Sequence, residues 1–465
     1  MTRGNTNPAA QPRMNAGQHP SGLGAGADMS LYAHFERAAA TWPDQPAVRI
    51  RRGDAAWLCY TYRQLLEAAA HVDAVLTRFG LATGDRVVLC AESGPEWGIA
   101  YIALQRAGLV AVPLDPQLST PQVAQAARFI GASVLLIGRQ SNADVGELAR
   151  SLPKAAVMPL VAPLVPLPGT AGELPNLPRP RPAAGDGPAS LLFTSGTLQE
   201  PKAVVLSHSN LIANVRDILD WAGLAEEEQF LSVLPLYHAF EFTVGFLAPL
   251  GSGACITYAD EIKGPRIAEL MRETGTTRMV CVPRLLQLIV QGLRRKVSDR
   301  GLLARFAFSG LLCLSRWTGR HPARRFFPAV HAGFGGRLRS FYSGGSTLDP
   351  ELARFLLDLG IPVYEGYGLT ETAPVLTMNR PGRLRLGAVG KALPQVELLV
   401  HSPNAAGVGE VCARGPSVFA GYYHDPEATA AAFIDGWFRT GDLGRLDREG
   451  YLHLRGRIKI GRAHV

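Results

Sequence analysis

Two patterns of apolar residues follow one another along the first third of the chain: a helical periodicity and short continuous apolar runs. Apolar residues that return every three to four positions predict helices over 63–79, 95–107 and 122–130. Short apolar runs predict buried strands at 85–90, 108–113 and 133–137. Strands that alternate with helices form βαβ units around a parallel sheet, so the pattern predicts an α/β protein.

The pattern breaks between Pro153 and Pro188, where prolines recur with Gly and Ala. This composition predicts a long surface connection without regular structure. The apolar run Ser190–Phe193 that follows predicts a new strand, and Ser207–Asn210 predicts the start of a helix. No repeat of 20 to 50 residues is visible, which excludes solenoids and propellers.

Composition narrows the function classes. Hydrophobic residues make up 47% of the 465 positions and charged residues 18%, which excludes a disordered chain. The 6 cysteines lie far apart without a CxxC pair, so we expect neither disulfides nor a zinc site, and a reducing cytoplasm. The net charge of +8 is concentrated between Arg284 and Arg339, a segment with twelve Lys and Arg residues and a single acidic residue, Asp299. Because the basic character belongs to this one segment, a general surface for binding nucleic acid is not expected.

A hydroxyl-rich loop directly follows the strand predicted at Ser190–Phe193. Thr194, Ser195 and Thr197 offer hydroxyl donors, and Gly196 lets backbone N–H groups approach an anion. Lys202 at the end of the loop can neutralise phosphate charge. Neither GxxxxGK[ST] nor GxGxxG is present, so the loop predicts a nucleotide site of another type.

The loop resembles, from Phe193 to Val205, the signature loop of the adenylate-forming superfamily, which includes acyl-CoA synthetases, luciferases and adenylation domains of peptide synthetases. Other segments resemble further motifs of that family in the family's order: 234–238, 343–347, 364–371, 437–444 and 450–459. The resemblance runs from about Leu31 to Lys459. It implies an AMP-binding domain over 29–455, an α/β fold of several subdomains with parallel sheets flanked by helices and a small β-rich subdomain.

The resemblance also implies roles for individual residues. Those implied to act in catalysis are Lys202, His238, Thr370 and Glu371, with Glu371 also holding Mg²⁺. Those implied to bind ATP or AMP are Thr194, Ser195, Gly196, Thr197, Lys202, Gly345, Ser346, Thr347, Gly366, Tyr367, Gly368, Thr370, Asp442 and Arg457. Within this set Tyr367 is implied to stack on adenine and Asp442 to accept the ribose hydroxyls, while Lys459 is the implied hinge.

The implied function is ATP-dependent activation of a carboxylic acid to acyl-AMP, followed by transfer to CoA. Attack of a carboxylate on a phosphate brings two anions together, so Mg²⁺ and nearby donors are required. The run Pro235–Thr243 and the insertion before Phe341 most resemble fatty-acyl-CoA synthetases, which predicts a fatty acid as substrate. One alternative is a fatty acyl-AMP ligase or an acyl-ACP synthetase. Another is a non-catalytic nucleotide- or acyl-binding paralogue, which Leu198 and Gln199 favour because the family usually has Ser or Thr and Gly there.

The two ends of the chain carry separate expectations. Residues 1–28 are rich in Gly, Ala and Pro without an apolar run, and we predict a disordered leader there. Residues 456–465 are interpreted as a hinge remnant and a non-native-looking tail, because the run after Lys459 departs from the hinge pattern. The family's small C-terminal domain, which supplies a catalytic lysine, is therefore expected to be absent from this chain.

The basic segment 294–325 contains an apolar run, Gly301–Trp317, with arginines near its ends. One interpretation is a helix that lies in a bilayer interface, with arginines at the headgroups and Trp317 as an anchor. The other is an ordinary helix packed on the globule with a solvated basic rim. The first predicts a cytoplasmic protein with peripheral contact at the inner membrane surface. The sequence contains no uninterrupted run of about 18 apolar residues, so we predict no transmembrane helix.

Overall fold

A computed structural model of the chain describes residues 29–162, 164–170, 179–181, 183, 185–194, 202–319 and 323–458. The helices are α1 (Leu31–Thr41), α2 (Tyr62–Thr77), α3 (Pro95–Arg106), α4 (Thr120–Ile130), α5 (Val145–Ser151), α6 (His208–Ala222), α7 (Ala248–Gly251), α8 (Gly264–Thr274), α9 (Pro283–Ser298), α10 (Leu302–Trp317), α11 (Ala323–Phe326), α12 (Pro328–Gly333), α13 (Pro350–Asp358) and α14 (Pro426–Ala431). A π-helical segment covers Glu241–Leu247 and a 3₁₀ turn covers Thr370–Thr372.

The strands are β1 (Pro46–Ile50), β2 (Leu58–Thr61), β3 (Arg86–Cys90), β4 (Val110–Leu114), β5 (Val134–Ile137), β6 (Ala156–Pro159), β7 (Pro188–Phe193), β8 (Ala203–Ser207), β9 (Gln229–Ser232), β10 (Cys255–Tyr258), β11 (Arg278–Cys281), β12 (Ser340–Ser343), β13 (Val363–Gly368), β14 (Val375–Met378), β15 (Lys391–Ala392), β16 (Glu397–His401), β17 (Gly409–Arg414), β18 (Phe433–Ile434), β19 (Trp437–Leu446) and β20 (Leu452–Arg457). The predicted alternation of helices and strands over 63–137 is confirmed, with ends that differ by a few residues.

The largest sheet has the strand order β15-β14-β13-β12-β11-β9-β10-β1-β2. Its central strands, from β13 to β1, run parallel to one another. Antiparallel pairs lie at both edges, β1 with β2 and β13 with β14. Segments that follow neighbouring parallel strands leave the sheet at the same edge, which is where ligands bind in open α/β sheets.

A second sheet has the order β6-β5-β3-β4-β7-β8, parallel up to β7 and closed by the β7–β8 hairpin. The prediction that 153–188 lacks regular structure was wrong at its start. Ala156–Pro159 forms an edge strand because Ala156 to Met158 supply apolar side chains and pair in parallel register with β5, starting at Val134. The only proline in this strand is its last residue, a position that an edge strand tolerates.

A small antiparallel sheet of β16 to β20 forms the predicted β-rich subdomain. Helix α6 connects the segment that follows β17 to the largest sheet. The amide of Asn214 bonds both the N–H and the C=O of Val375 in β14, at 3.1 and 2.7 Å, while Asn210 donates to the carbonyl of Val418, at 3.0 Å. Ser207 caps this helix together with Asn210, at the helix start that the sequence predicted.

The two parallel sheets share a core around α3, in which every residue except Glu96 is buried. Trp97 and Tyr101 stack with ring centroids 5.4 Å apart, and the rings of Phe242 and Phe246 contact both of them edge-on. This aromatic cluster fixes the π-helical segment against the sheet. No helix among the described residues is both long and apolar enough to cross a bilayer.

Candidate nucleotide and carboxylate site

The predicted site begins where strands β12 and β13 end. The two strands are parallel neighbours, and Ser343 is in register with Glu365. The turn of Gly345, Ser346 and Thr347 follows β12 and is exposed. Since the 3₁₀ turn Thr370–Thr372 follows β13, both motifs lie at the same edge of the largest sheet.

Close backbone contacts explain the glycines of these motifs. A Cβ on Gly368 would lie 1.7 Å from the carbonyl oxygen of Pro374, and a Cβ on Gly366 would lie 3.2 Å from that of Thr377. Gly345 has φ +79°, a left-handed conformation that glycine adopts without cost. The carboxyl of Glu365 accepts the N–H of Leu348 at 3.0 Å, which fixes the exposed turn, and burial raises the pKa of this carboxyl to about 7.

Tyr367 and Asp442 meet across the boundary between the largest sheet and the small sheet. The Tyr367 hydroxyl donates to Asp442 Oδ2 at 2.8 Å, and Arg457 Nε donates to Asp442 Oδ1 at 3.0 Å. Burial, with the negative charge of Asp442 beside it, raises the pKa of Tyr367 above its usual range. The phenol therefore stays protonated and holds the carboxylate in place.

A second cluster forms around Glu371, which is largely buried. Its Oε1 accepts the Tyr422 hydroxyl at 2.9 Å, whereas no described residue donates to its Oε2. The ammonium of Lys202 lies 5.4 Å from the centroid of the Tyr422 ring, within cation–π range. Tyr422 thus connects the lysine that ends the predicted phosphate loop with the predicted metal carboxylate.

The β7–β8 hairpin carries the hydroxyl-rich loop. The N–H of Thr194 donates to the Lys202 carbonyl at 3.1 Å, which closes the hairpin at its base. Strand β8 also pairs with the segment that precedes α14, through Tyr423 N–H to the carbonyl of Ala203 at 2.8 Å. Ser195, Gly196 and Thr197 lie outside the described residues, as does the predicted hinge residue Lys459.

His238 lies on the segment between β9 and the π-helical segment, and it is exposed. Its ring lies 4.3 Å from that of Tyr237, and its carbonyl accepts the N–H of Phe242. On the same segment, Phe240 lies close to the predicted adenine turn, since a Cβ on Gly344 would meet its ring at 2.9 Å. The acyl-pocket motif and the adenine motif are therefore neighbours.

The sequence pattern did not identify two side chains of this region as part of the site. Tyr422 contacts Glu371 across 51 positions of the chain, and no local motif marks it. Glu241, within the predicted acyl motif, is completely buried, and burial raises its pKa to about 8. Its Oε1 accepts the Ser232 hydroxyl at 2.5 Å, while its Oε2 has no partner among the described residues.

The donors present fit Mg²⁺ only together with a substrate. No group of three metal-binding side chains occurs in the part of the chain that the structure describes. Mg²⁺ in phosphate-transferring sites is usually held by one or two carboxylates and the substrate's phosphates. Glu371, with one oxygen positioned by Tyr422 and the other without a described donor, matches this arrangement.

The fold and the arrangement of these motifs define the large N-terminal domain of an adenylate-forming enzyme. Residues 35–423 match the family described as AMP-binding enzyme. The chain belongs to this family. The predictions of the family, of the fold class and of an enzyme are confirmed.

Among curated proteins, the chain is 30% identical over 431 residues to the long-chain-fatty-acid–CoA ligase FadD15 of Mycobacterium bovis. The matched region covers 84% of this chain and 69% of that protein. It is also 30% identical to oxalate–CoA ligase of Arabidopsis thaliana, over 92% of this chain and 79% of that protein. The ATP-bound crystal structure of MatB from Rhodopseudomonas palustris is similar with a TM-score of 0.75 and 26% identity, over 92% of this chain and 79% of that one. The named substrates of these relatives differ.

Proposed function

We propose that this chain binds ATP, Mg²⁺ and a carboxylic acid and that, together with the family's small C-terminal domain, it forms acyl-AMP with release of pyrophosphate. The contacts of Tyr422 with both Lys202 and Glu371 are the main support for the proposal. Through Tyr422, a cation and the predicted metal-binding carboxylate lie near one another at the end of the phosphate loop. The nucleoside end would lie at Tyr367 and Asp442. A carboxylate suits a ribose because its two oxygens can accept both hydroxyls of a vicinal diol.

Each group has a distinct role in this proposal. Thr194 to Thr197 and Lys202 bind the β- and γ-phosphates, and Thr370 donates to a phosphate at the reacting end. Mg²⁺ held by Glu371 would supply charge neutralisation of the phosphates. Activation through AMP converts a carboxylate, a poor electrophile, into a mixed anhydride with a good leaving group.

A fatty acid is the substrate we propose, and CoA the acceptor of the acyl group. The apolar character of Pro235–Thr243 and the similarity to FadD15 support a fatty acid. The similarity to oxalate–CoA ligase makes a small acid the competing candidate. Transfer to an acyl-carrier protein is the second candidate for the acceptor, since both use a thiol that attacks acyl-AMP.

Pyrophosphate exchange into ATP, measured on this domain joined to the family's small C-terminal domain, tests the proposal, because exchange reports acyl-AMP formation whichever acceptor follows. We expect exchange with palmitate and little with oxalate or ferulate. Adding CoA or a phosphopantetheinylated carrier protein in separate reactions then identifies the acceptor. Nucleotide binding without exchange for any acid in a panel from oxalate to palmitate would favour the non-catalytic paralogue instead.

A further inference from the structure

The basic segment carries an apolar surface that faces solvent. Helix α10 exposes 86% of Leu303, 74% of Phe306 and 85% of Trp317. Single exposed apolar residues are ordinary on soluble proteins, whereas several large ones together mark an interaction site. We call Leu303, Phe306, Leu314 and Trp317 the outer stripe.

The outer stripe follows helical periodicity. At 3.6 residues per turn its members fall within about 80° of one another around the helix. The opposite face packs on the protein through Phe308, Leu311 and Leu312. The helix is further attached by Ser315, whose hydroxyl donates to the Asp358 carbonyl at 2.6 Å. Helix α10 is therefore held in place by its inner face, while most of the outer stripe faces solvent.

Exposed cations without carboxylate partners lie on α10 and on the segments directly before and after it in the chain. No carboxylate within the described ranges lies at ion-pair distance from five exposed residues, which we call the basic rim: Arg295, Lys296, Arg300, Arg305 and Arg325. Nearby cations are engaged, since Arg294 lies 4.8 Å from the centroid of the Phe355 ring and Arg316 pairs with Asp358 at 2.5 Å. The basic rim therefore offers free positive charge to a partner.

We propose that the outer stripe and the basic rim dock the protein on an anionic lipid bilayer. The apolar side chains would enter the boundary between headgroups and acyl chains, and the cations would lie at the level of the lipid phosphates. Trp317, at one end of the stripe, suits the interface because its ring is apolar and its N–H is polar. An exposed apolar stripe on a segment rich in unpaired cations complements a surface that is itself apolar inside and anionic outside.

Sedimentation with vesicles tests the proposal on the 465-residue chain. We expect it to pellet with phosphatidylcholine vesicles that contain phosphatidylglycerol and to stay in solution with phosphatidylcholine alone. Raising the salt concentration should release it, since salt shortens the range of the attraction to the surface. Vesicle binding needs neither ATP nor an acid, so its failure leaves the proposed adenylation untouched.

Two variants separate the apolar and the charged contributions. The triple change Leu303→Ser, Phe306→Ser and Trp317→Ser should lower partition onto anionic vesicles at least tenfold with unchanged circular dichroism. Its matched control, Leu167→Ser with Ile262→Ser, removes side chains that are 53% and 60% exposed elsewhere and should bind as the wild type does.

Neutralising the basic rim with Arg295→Gln, Lys296→Gln and Arg325→Gln should also abolish binding at low salt. The control Arg63→Gln with Arg414→Gln removes exposed arginines elsewhere and should leave it intact. Equal binding by the outer-stripe variant and the wild type, or no wild-type binding to anionic vesicles at low salt, overturns the proposal. Self-association in sedimentation velocity that the outer-stripe variant abolishes, without vesicle binding, would assign the surface to a second copy of the chain instead.

Discussion

Asp442 is shared by two donors, the Tyr367 hydroxyl and the Arg457 guanidinium. At the residue scale this predicts that Asp442→Ala weakens AMP binding by about 1–3 kcal/mol, the range for losing hydrogen bonds to a charged acceptor. Calorimetric titration with AMP measures the change. Tyr367→Phe is the comparison variant, because it keeps both the carboxylate and the ring that is expected to stack on adenine and removes only the hydroxyl that positions Asp442, so AMP binding should weaken less. An affinity for AMP that is the same in Asp442→Ala and in the wild type would contradict the ribose assignment.

Glu371 is predicted to serve the metal ion and not the fold. Glu371→Gln keeps the size of the side chain and an oxygen that can accept from Tyr422, but it removes the charge that Mg²⁺ requires. We expect Mg²⁺-dependent pyrophosphate exchange to fall at least a hundredfold while the melting temperature stays within a few degrees.

Tyr422→Phe provides the control for Glu371→Gln. It removes the hydrogen bond to Glu371 Oε1 and leaves the carboxylate charge, so exchange should fall less than in Glu371→Gln. Normal exchange by Glu371→Gln at limiting Mg²⁺ would show that the ion is held elsewhere.

The π-helical segment Glu241–Leu247 is the element in which sequence pattern and environment conflict most. Its first residue, Glu241, places a carboxyl group in the core. A Cβ on Gly245 would lie only 2.5 Å from Cδ of that carboxyl group, so the position has no room for a larger residue. Gly245 is thus required by the buried side chain one turn earlier. Since no cation among the described residues pairs with it, the carboxyl is held in its neutral form by desolvation.

This burial predicts a pH dependence of stability. The pKa of Glu241 is about 8 in the folded protein against an ordinary value of 4.5, so folding favours the protonated form. The contribution of this group to stability is complete below pH 4.5 and is lost as the pH rises towards 8, by about 1.4 kcal/mol per pH unit at most. Glu241→Gln cannot ionise and should therefore gain stability relative to the wild type between pH 5 and pH 8.

Urea unfolding at several pH values measures that difference in the free energy of unfolding. The exposed Glu36→Gln change serves as control, since it removes one carboxyl from the surface. A gap between Glu241→Gln and the wild type that does not change with pH would mean that Glu241 ionises inside the folded protein at its ordinary pKa.

At the scale of the whole molecule, the candidate nucleotide site lies across a boundary. Tyr367 belongs to the largest sheet and Asp442 to the small sheet, and helix α6 bonds both β14 and the segment that follows β17. A nucleotide that contacts both side chains binds only the arrangement in which the sheets are docked, and so it should stabilise both.

We predict that AMP slows amide hydrogen exchange in β13 and in β19 together, and raises the melting temperature in proportion to the logarithm of its concentration. In Asp442→Ala the protection of β19 should be lost first, because this strand then has no carboxylate to accept the ribose hydroxyls. Protection of β13 alone in the wild type would show that the small sheet does not take part in nucleotide binding.

The sequence determined the class of fold and the order of the motifs. The alternation of helices and strands over 63–137, the helix start at 207–210 and the helix in 301–317 were all predicted, because each depends on contacts between residues close in the chain. The edge strand β6 was missed, since its formation depends on a neighbour, β5, rather than on its own composition.

Only the tertiary structure decided which side chains act on one another. The contacts of Glu371 with Tyr422 and of Tyr367 with Asp442 span 51 and 75 positions, and periodicity carries no information over such separations. The same holds for Glu241, whose environment comes from strands distant in sequence, and for α10, whose apolar residues the sequence could not divide into a packed face and an exposed one. Local pattern determines elements because hydrogen bonds and side-chain spacing repeat along the chain, whereas packing determines which residues are buried, charged or free.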